Sequence, residues 1–298
     1  MSLYSTTLLE IMRRLGRLGL DEFYEGTATG GNTTTFADTA RWEPDDFFQS
    51  LTPPGRVRIV STTDGVAPYQ NEREITDWVQ TGGTGTVHLA WSGSTSVAAG
   101  DEYVIMSKYT WAELKSAVNS AIDHIADEAL IDKMDETVSL VSSVYEYPMP
   151  TGFVYIYRLW MADGNGQYPE PIPPDHYKII RSGAVPKIHF TRFPVVHEAA
   201  GWYYSDLWAN SKLTDGRTLR IEGLAKQEHL EDETDVCYVN PEYIWRQAAA
   251  TLHGKRIRRP ENEPDDHRTQ FTVHQAQADQ LKKSMMLMLP PNSKRVMN

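Results

Sequence analysis

The period of the apolar pattern changes at Thr110, and this change constrains the fold more than any other feature of the sequence. Between residues 22 and 106, short stretches alternate apolar and polar side chains and end at glycine-containing turns, which is typical of β-strands. From Trp111 to Ala129, apolar residues recur at intervals of three and four, which predicts an amphipathic helix. Thr110 and Glu113 have the spacing of a capping box, which marks where this helix begins.

Helix signals also occur near both ends of the chain, and a second β-rich region follows the central helix. Thr7 and Glu10 form another capping-box pair before an amphipathic stretch. Residues 137–239 return to alternation, with residues 153–160 as the strongest predicted strand. Asn240 and Pro241 are a helix N-cap and first-turn residue.

These patterns predict an α+β fold with two β-sandwich-like regions joined by an amphipathic helix, flanked by an N-terminal helix and C-terminal helices. The first β-region has the strand spacing of a small sandwich or barrel. The predicted segments are an N-terminal helix (1–20), a β-domain (21–108), a linking helix (109–135), a second β-domain (136–239) and C-terminal helices with a basic tail (240–298).

Charge is distributed unevenly along the chain. The formal net charge is −11, which argues against nucleic-acid binding over the whole surface. Residues 255–298 nevertheless contain nine Lys or Arg against five Asp or Glu. A basic tail on an acidic body is typical of an interaction element, and a solvated helix face explains it equally well.

The residues of reactive chemistry do not form a recognisable catalytic motif. The single cysteine, Cys237, excludes an intramolecular disulfide and a multi-cysteine zinc site, and indicates synthesis in a reducing cytoplasm. The glycine- and threonine-rich residues 26–39 lack the lysine of a phosphate-binding loop. The nine histidines show no metal-ligand spacing. We therefore expect a non-enzymatic protein without a cofactor or a metal.

Three groups of side chains are candidates for contact with other molecules. The apolar residues of the two terminal helices are candidates for a subunit or portal interface: Leu8, Ile11, Leu15, Phe271, Ala278, Leu281, Met285 and Met288. A basic cluster could contact phosphates or an acidic protein: Lys255, Arg256, Arg258 and Arg259. A dense aromatic segment is either part of a core or an exposed contact surface: Trp202, Tyr203 and Trp208.

The order of these parts resembles the head–tail adaptor proteins, also called connector or neck proteins, of tailed bacteriophages. The residues that carry the resemblance are 26–39, 59–65, 73–76, 84–87, 99–103, the helix at 111–122, the strand opening at 147–150 and the alanine-containing C-terminal helix. The resemblance implies a virion structural protein that forms a ring, often of twelve copies, between the portal and the tail. It also implies a DNA path through the ring and a location at the head–tail junction.

Two other classes of function fit the sequence less well. One is a phage tail, baseplate, fibre or head-decoration protein that binds a glycan through its aromatic segment. The other is a wall-degrading hydrolase that uses a pair of carboxylates, such as Asp45 and Asp46. Under the adaptor hypothesis, residues 26–39 lie between the first helix and the first β-domain, available for contact with another subunit.

Overall fold

The structure is a computed structural model of the 298-residue chain. It describes residues 4–63, 65, 68–91, 95–141, 144–163, 165–169, 171–181, 183, 185–191, 193–197, 201–205, 216–257, 264–285 and 289–296, with the backbone alone for 193–197 and 201–205. The helices are α1 (Leu8–Gly19), α2 (Phe47–Ser50), α3 (Trp111–Ile125), α4 (Pro241–Arg256) and α5 (Pro264–Ser284). The strands are β1 (Thr6–Thr7), β2 (Phe23–Thr27), β3 (Gly30–Gly31), β4 (Thr35–Ala37), β5 (Arg56–Ser61), β6 (Glu72–Val79), β7 (Thr84–Val87), β8 (Glu102–Met106), β9 (Ile131–Ser139), β10 (Glu146–Pro148), β11 (Phe153–Met161), β12 (Tyr177–Ile180), β13 (Lys187–Phe190), β14 (Phe193–His197), β15 (Gly201–Ser205), β16 (Thr218–Ala225), β17 (Val236–Cys237) and β18 (Lys294–Arg295).

The chain divides into two compact units, and the mixed α+β class predicted from the sequence is confirmed. The barrel–helix unit consists of residues 5–123 and 229–283. The two-sheet unit consists of residues 1–4, 124–228 and 284–298. Each unit therefore combines segments that are distant in the sequence.

The barrel–helix unit contains one curled antiparallel sheet. Its strand order is β2-β8-β5-β6-β7-β4-β3. Phe36 on β4 and Tyr103 on β8 have ring centroids 5.0 Å apart, although three strands separate β4 from β8 in the sheet order. The sheet must therefore curl until its two ends share one core, which is the barrel form of the expected β-region. Phe48 and Trp78 pack edge to face in the same core.

Three helices of this unit begin where the sequence predicts. In α1 and α3, the reciprocal capping-box bonds are present at Thr7 with Glu10 and at Thr110 with Glu113. In α4, the side chain of Asn240 accepts a hydrogen bond from the N–H of Glu242. Each cap satisfies amide groups that the first turn of a helix leaves without partners.

The two-sheet unit has the form of a sandwich. A sheet of order β18-β11-β16-β9 and a sheet of order β10-β13-β12 share one hydrophobic core. Phe153, Ile156 and Leu159 from β11 are fully buried in that core, together with Phe190 from β13. The β14–β15 hairpin forms a separate two-stranded sheet.

Two elements differ from the expected boundaries. The central helix ends at Ile125 instead of continuing to residue 135, and β9 begins at Ile131. The ladder between β9 and β16 takes residues 131–139 into the sheet, because pairing with a partner strand overrides a weak local preference. The end of the chain is also ordered as β18, whose neighbour Val296 is buried and donates a backbone hydrogen bond to Val154.

Candidate interaction surfaces

The apolar face of α1 is buried inside its own unit. Leu8, Ile11 and Leu15 are fully buried, and α1 packs against α4. Gly19 allows this close approach, because an added Cβ would lie 2.9 Å from the Cβ of Ala249. The three side chains proposed for a subunit interface thus have an intrachain role, and they cannot meet another subunit unless the α1–α4 contact opens.

The seam of α5 also packs within the chain. Ala278 is fully buried, and a Cβ added to Gly254 of α4 would lie 3.3 Å from the ring of Phe271. Leu281 and Met285 are half-buried, and Met288 lies outside the described residues. The predicted helical spacing is thus present, but α4 lies against this face. The sequence alone could not show that the chain supplies the partner itself.

The basic cluster divides into different environments. Lys255 is exposed. Arg256 is buried, and its guanidinium lies 4.5 Å from the ring centroid of Tyr109. Arg256 is therefore a packing residue rather than a free contact for phosphates or acidic side chains. Arg258 and Arg259 lie outside the described residues.

The aromatic segment is only partly described. Trp202 and Tyr203 belong to β15, where they are paired with Val196 and Val195 of β14. Their side chains and the whole of Trp208 lie outside the described residues. The prediction of an aromatic contact surface there stays a prediction.

Residues 26–39 belong to the curled sheet. They supply the end of β2, then β3 and β4, and Phe36 among them is fully buried. The interpretation of this segment as the start of a β-domain agrees with its structure. The expectation that it lies between the first helix and the β-domain is wrong, because β2 begins at Phe23 and residues 26–37 contribute strands to the sheet. Its polar members on the surface include Thr29 and Asn32, whose side chain accepts backbone hydrogen bonds from Thr34 and Thr35.

A cluster of three histidines was missed in the sequence. His253 on α4 has its Nδ1 2.9 Å from Nδ1 of His267 on α5. The ring of His274, one heptad further along α5, stacks on His253 with centroids 5.9 Å apart and planes at 7°. All three residues are buried. The seven-residue spacing of His267 and His274 on the predicted seam was the available signal.

Burial lowers the pKa of each histidine in this cluster. Desolvation is the largest cause in all three, and positive neighbours add to it for His267 and His274. The pKa of His274 is lowered to about 4. The rings are therefore neutral near pH 7. Within the described ranges, no group of three or more His, Cys, Asp or Glu residues has a geometry that could hold a metal ion.

A buried polar network lies beneath the loop that follows β4. The hydroxyl of Tyr103 donates to Asp38 Oδ2 at 2.7 Å and accepts from Arg41 Nε at 2.9 Å. Arg41 also donates to Glu43 Oε1 at 2.7 Å and to the carbonyl oxygen of Glu25. These bonds use the donors of Arg41 inside the fold and fix the position of residues 38–43.

Trp42 projects from this fixed loop into solvent. Its side chain is 77% exposed. Its carbonyl oxygen accepts a hydrogen bond from Gln80 Nε2 at 2.9 Å, and the next carbonyl, that of Glu43, accepts one from Trp78 Nε1 at 3.1 Å. A cavity of about 390 Å³ lies beside Trp42, lined in part by Glu25 and Glu43. Trp42 was not among the candidate residues predicted from the sequence.

A second cavity lies along the outer face of α1. Its volume is about 640 Å³, and Arg14, Arg17, Leu18 and Pro241 contribute to its lining. Leu18 is 60% exposed, and the side chains of Arg14 and Arg17 are 50% and 61% exposed. This face of α1, opposite its buried stripe, is apolar at Leu18 and carries guanidinium groups around it.

Comparison with family models and with curated sequences identifies no relative. No protein-family model matches the sequence, and no curated protein sequence matches it. Within the part of the chain that the structure describes, no helix is both long enough and apolar enough to cross a membrane.

Proposed function

We propose that this chain is a non-enzymatic structural protein of a tailed-phage virion, a head–tail adaptor. In this proposal, copies made in the host cytoplasm assemble into a ring between the portal and the tail. In the family that the chain resembles, such a ring often has twelve copies. Portal protein and other neck or tail proteins are the partners, and packaged DNA passes through the ring with non-specific contacts only.

The observation that carries the proposal is the division into two units with separate hydrophobic cores. An adaptor has to hold two different neighbours, and two independently packed units can present two different surfaces. The chain passes from one unit to the other after Tyr4, after Asp123, after Glu228 and after Lys283.

The environment of the single cysteine supports a non-enzymatic role. Cys237 is fully buried, and burial raises the pKa of its thiol to about 11. A nucleophilic cysteine needs a lowered pKa and access to substrate, and Cys237 has neither. A largely buried ion pair has a structural role in the same unit. Its atoms, Arg58 Nη2 and Glu233 Oε1, lie 2.6 Å apart and join segments that are distant in the sequence.

The proposal is tested by electron cryo-microscopy of the tailed particle that contains this chain. We expect its density as a closed ring at the neck, in contact with the portal on one side. Density at the tail tip, in a fibre or on the capsid surface would contradict the proposal and favour a peripheral binding protein.

A deletion of residues 264–298 would not be a clean test of portal docking. It would remove α5, which packs on α4, and β18, which pairs with β11. Point substitutions on the exposed face of α5 are better suited. Lys283→Glu changes an exposed charge there, and its effect on binding to purified portal rings can be compared with that of Arg158→Glu, an exposed position in the two-sheet unit.

A further inference from the structure

Trp42 is the most exposed large hydrophobic side chain within the described part of the molecule, at 77%. Its backbone is nevertheless held by the bond from Gln80, and the bonds of Arg41 to Tyr103 and Glu43 hold the adjoining residue. The indole is therefore presented from a fixed position. Because the loop is already ordered, a partner that covers the indole loses little conformational entropy in ordering it, and this preorganisation favours binding.

The surroundings of Trp42 fit a guanidinium group. Asp45 and Asp46 follow Trp42 closely in the sequence and are exposed, so acidic groups lie close to the indole in the chain. A guanidinium can bond carboxylate oxygens through its edge and stack its face on an indole.

The outer face of α1 offers the complementary groups. Arg14 is half-exposed, and its ion-pair partner Glu242 lies at 3.6 Å. Arg17 bonds Glu25 yet remains 61% exposed. When the edge of a guanidinium group forms an ion pair with a carboxylate, its planar face can still stack on an aromatic ring. Leu18 and Pro241 supply apolar surface in the same cavity.

We propose that two copies of this chain associate with Trp42 of one copy in the α1 cavity of the other. The indole lies on Leu18 and Pro241, and the guanidinium of Arg14 stacks on it or reaches the exposed carboxylates of Asp45 and Asp46. Tryptophan and arginine are the residue types most enriched among interface residues that dominate binding energy.

This inference rests on the proposed self-assembly and names the surfaces that would carry it. The Trp42 surface and the α1 cavity are different patches, so the contact can be repeated from copy to copy. A repeated contact between unlike patches closes into a ring when its rotation divides a full turn.

Sedimentation velocity over a range of protein concentrations measures the association. We expect Trp42→Ala and Arg14→Glu each to weaken self-association at least about tenfold, as expected of a residue that dominates an interface. Leu89→Ala is the matched control, because Leu89 is 60% exposed in the same unit and outside both patches. We expect this variant to associate like the wild type.

Cysteine cross-linking tests the pairing directly. In a Cys237→Ser background, a Trp42→Cys chain mixed with a Leu18→Cys chain should give a mixed cross-linked dimer on mild oxidation. A Trp42→Cys chain mixed with a Leu89→Cys chain should not. The three positions that receive a cysteine are exposed, so these substitutions remove little packing.

The outcomes separate this inference from the proposed function. If the chain associates, no variant weakens the association and no mixed cross-link forms, the pairing is overturned. The adaptor proposal is then tested by electron cryo-microscopy of the particle alone. A chain that stays monomeric and forms no mixed cross-link also overturns the pairing. A mixed cross-link in an assembly that stops at a symmetric dimer supports the pairing and contradicts the ring.

Discussion

The Nδ1 atoms of His253 and His267 lie 2.9 Å apart where α4 packs against α5. His253 Nε2 lies 2.8 Å from the carbonyl oxygen of Gly19, which can only accept, so Nε2 carries the proton. Nδ1 of His253 is then the acceptor, and His267 Nδ1 donates to it. A proton added to His253 would place two donors face to face and remove the bond.

Stability should therefore fall in mild acid. The pKa of His274 is lowered to about 4, with desolvation as the largest cause, whereas an unfolded histidine titrates near 6.5. Between about pH 6.5 and pH 4, the unfolded state binds more protons, so the free energy of unfolding decreases as the pH falls and levels off below the folded pKa. For this residue the loss is on the order of 3 kcal/mol at most.

Urea denaturation at pH 7, 6, 5 and 4 measures this slope. His274→Phe should flatten it, since phenylalanine keeps a ring against Trp245 but does not titrate. His88→Phe, at an exposed position, should leave the slope unchanged. If His274→Phe has the wild-type slope, His274 does not control acid stability.

Leu15→Ala should destabilise the isolated chain. Leu15 is fully buried, and truncation of a buried leucine to alanine costs about 2–5 kcal/mol. Leu18→Ala, on the exposed face of the same helix, should change the free energy of unfolding by less than about 0.5 kcal/mol. Chemical denaturation of dilute protein is the measurement. If Leu15→Ala impairs assembly but leaves the free energy of unfolding unchanged, Leu15 contributes to a subunit interface, as the sequence predicted.

Tyr103→Phe should weaken the support of the Trp42 loop. Removal of the hydroxyl leaves Asp38 Oδ2 and Arg41 Nε with one partner fewer in a buried place, which costs about 1–3 kcal/mol. Amide hydrogen exchange at residues 40–43 should increase. In a double-mutant cycle with Asp38→Ala, we expect a coupling of about 1 kcal/mol. Strict additivity would mean that the two residues act independently.

Lys294→Ala should destabilise the two-sheet unit. The Lys294 ammonium donates to the carbonyl oxygens of Pro174 and Tyr177 and lies 3.8 Å from the Tyr177 ring centroid. Hydrogen bonds from charged groups contribute about 1.5–3 kcal/mol each to stability when well formed. Hydrogen exchange in β12 should therefore accelerate, whereas Arg295→Ala, with an exposed side chain, should leave β12 protected. If the amides of β12 exchange equally slowly in both variants, the Lys294 side chain does not stabilise β12.

Local signals in the sequence were sufficient for elements whose structure depends on neighbouring residues. The caps at Thr7, Thr110 and Asn240 act within one helical turn, and each was predicted. The strand predicted at residues 153–160 was placed nearly at the observed bounds of β11. The short β17 and β18 depend on distant partners, Thr6–Thr7 and residues of β11, and their own residues gave no comparable signal.

The remaining differences between prediction and structure concern which elements pack against each other. The stripes on α1 and α5 were correctly placed, but an apolar stripe does not specify what covers it, and α4 covers both. The histidine cluster joins residues on two helices, so its geometry appears only once α4 and α5 are packed. The sequence around Trp42 does not distinguish it from other aromatic residues in loops. The hydrogen bonds of Arg41 and Gln80 that hold its loop are visible only in the structure.

The interleaving of the two units has a consequence for the order of folding during synthesis. Residues 124–228 of the two-sheet unit interrupt the barrel–helix unit, whose helices α4 and α5 are translated only afterwards. Contacts between such distant segments close large loops, which slows folding. The curled sheet, made of residues 23–106, can form first on the ribosome, while α1 waits for α4. β18 can pair with β11 only after α5 has been translated.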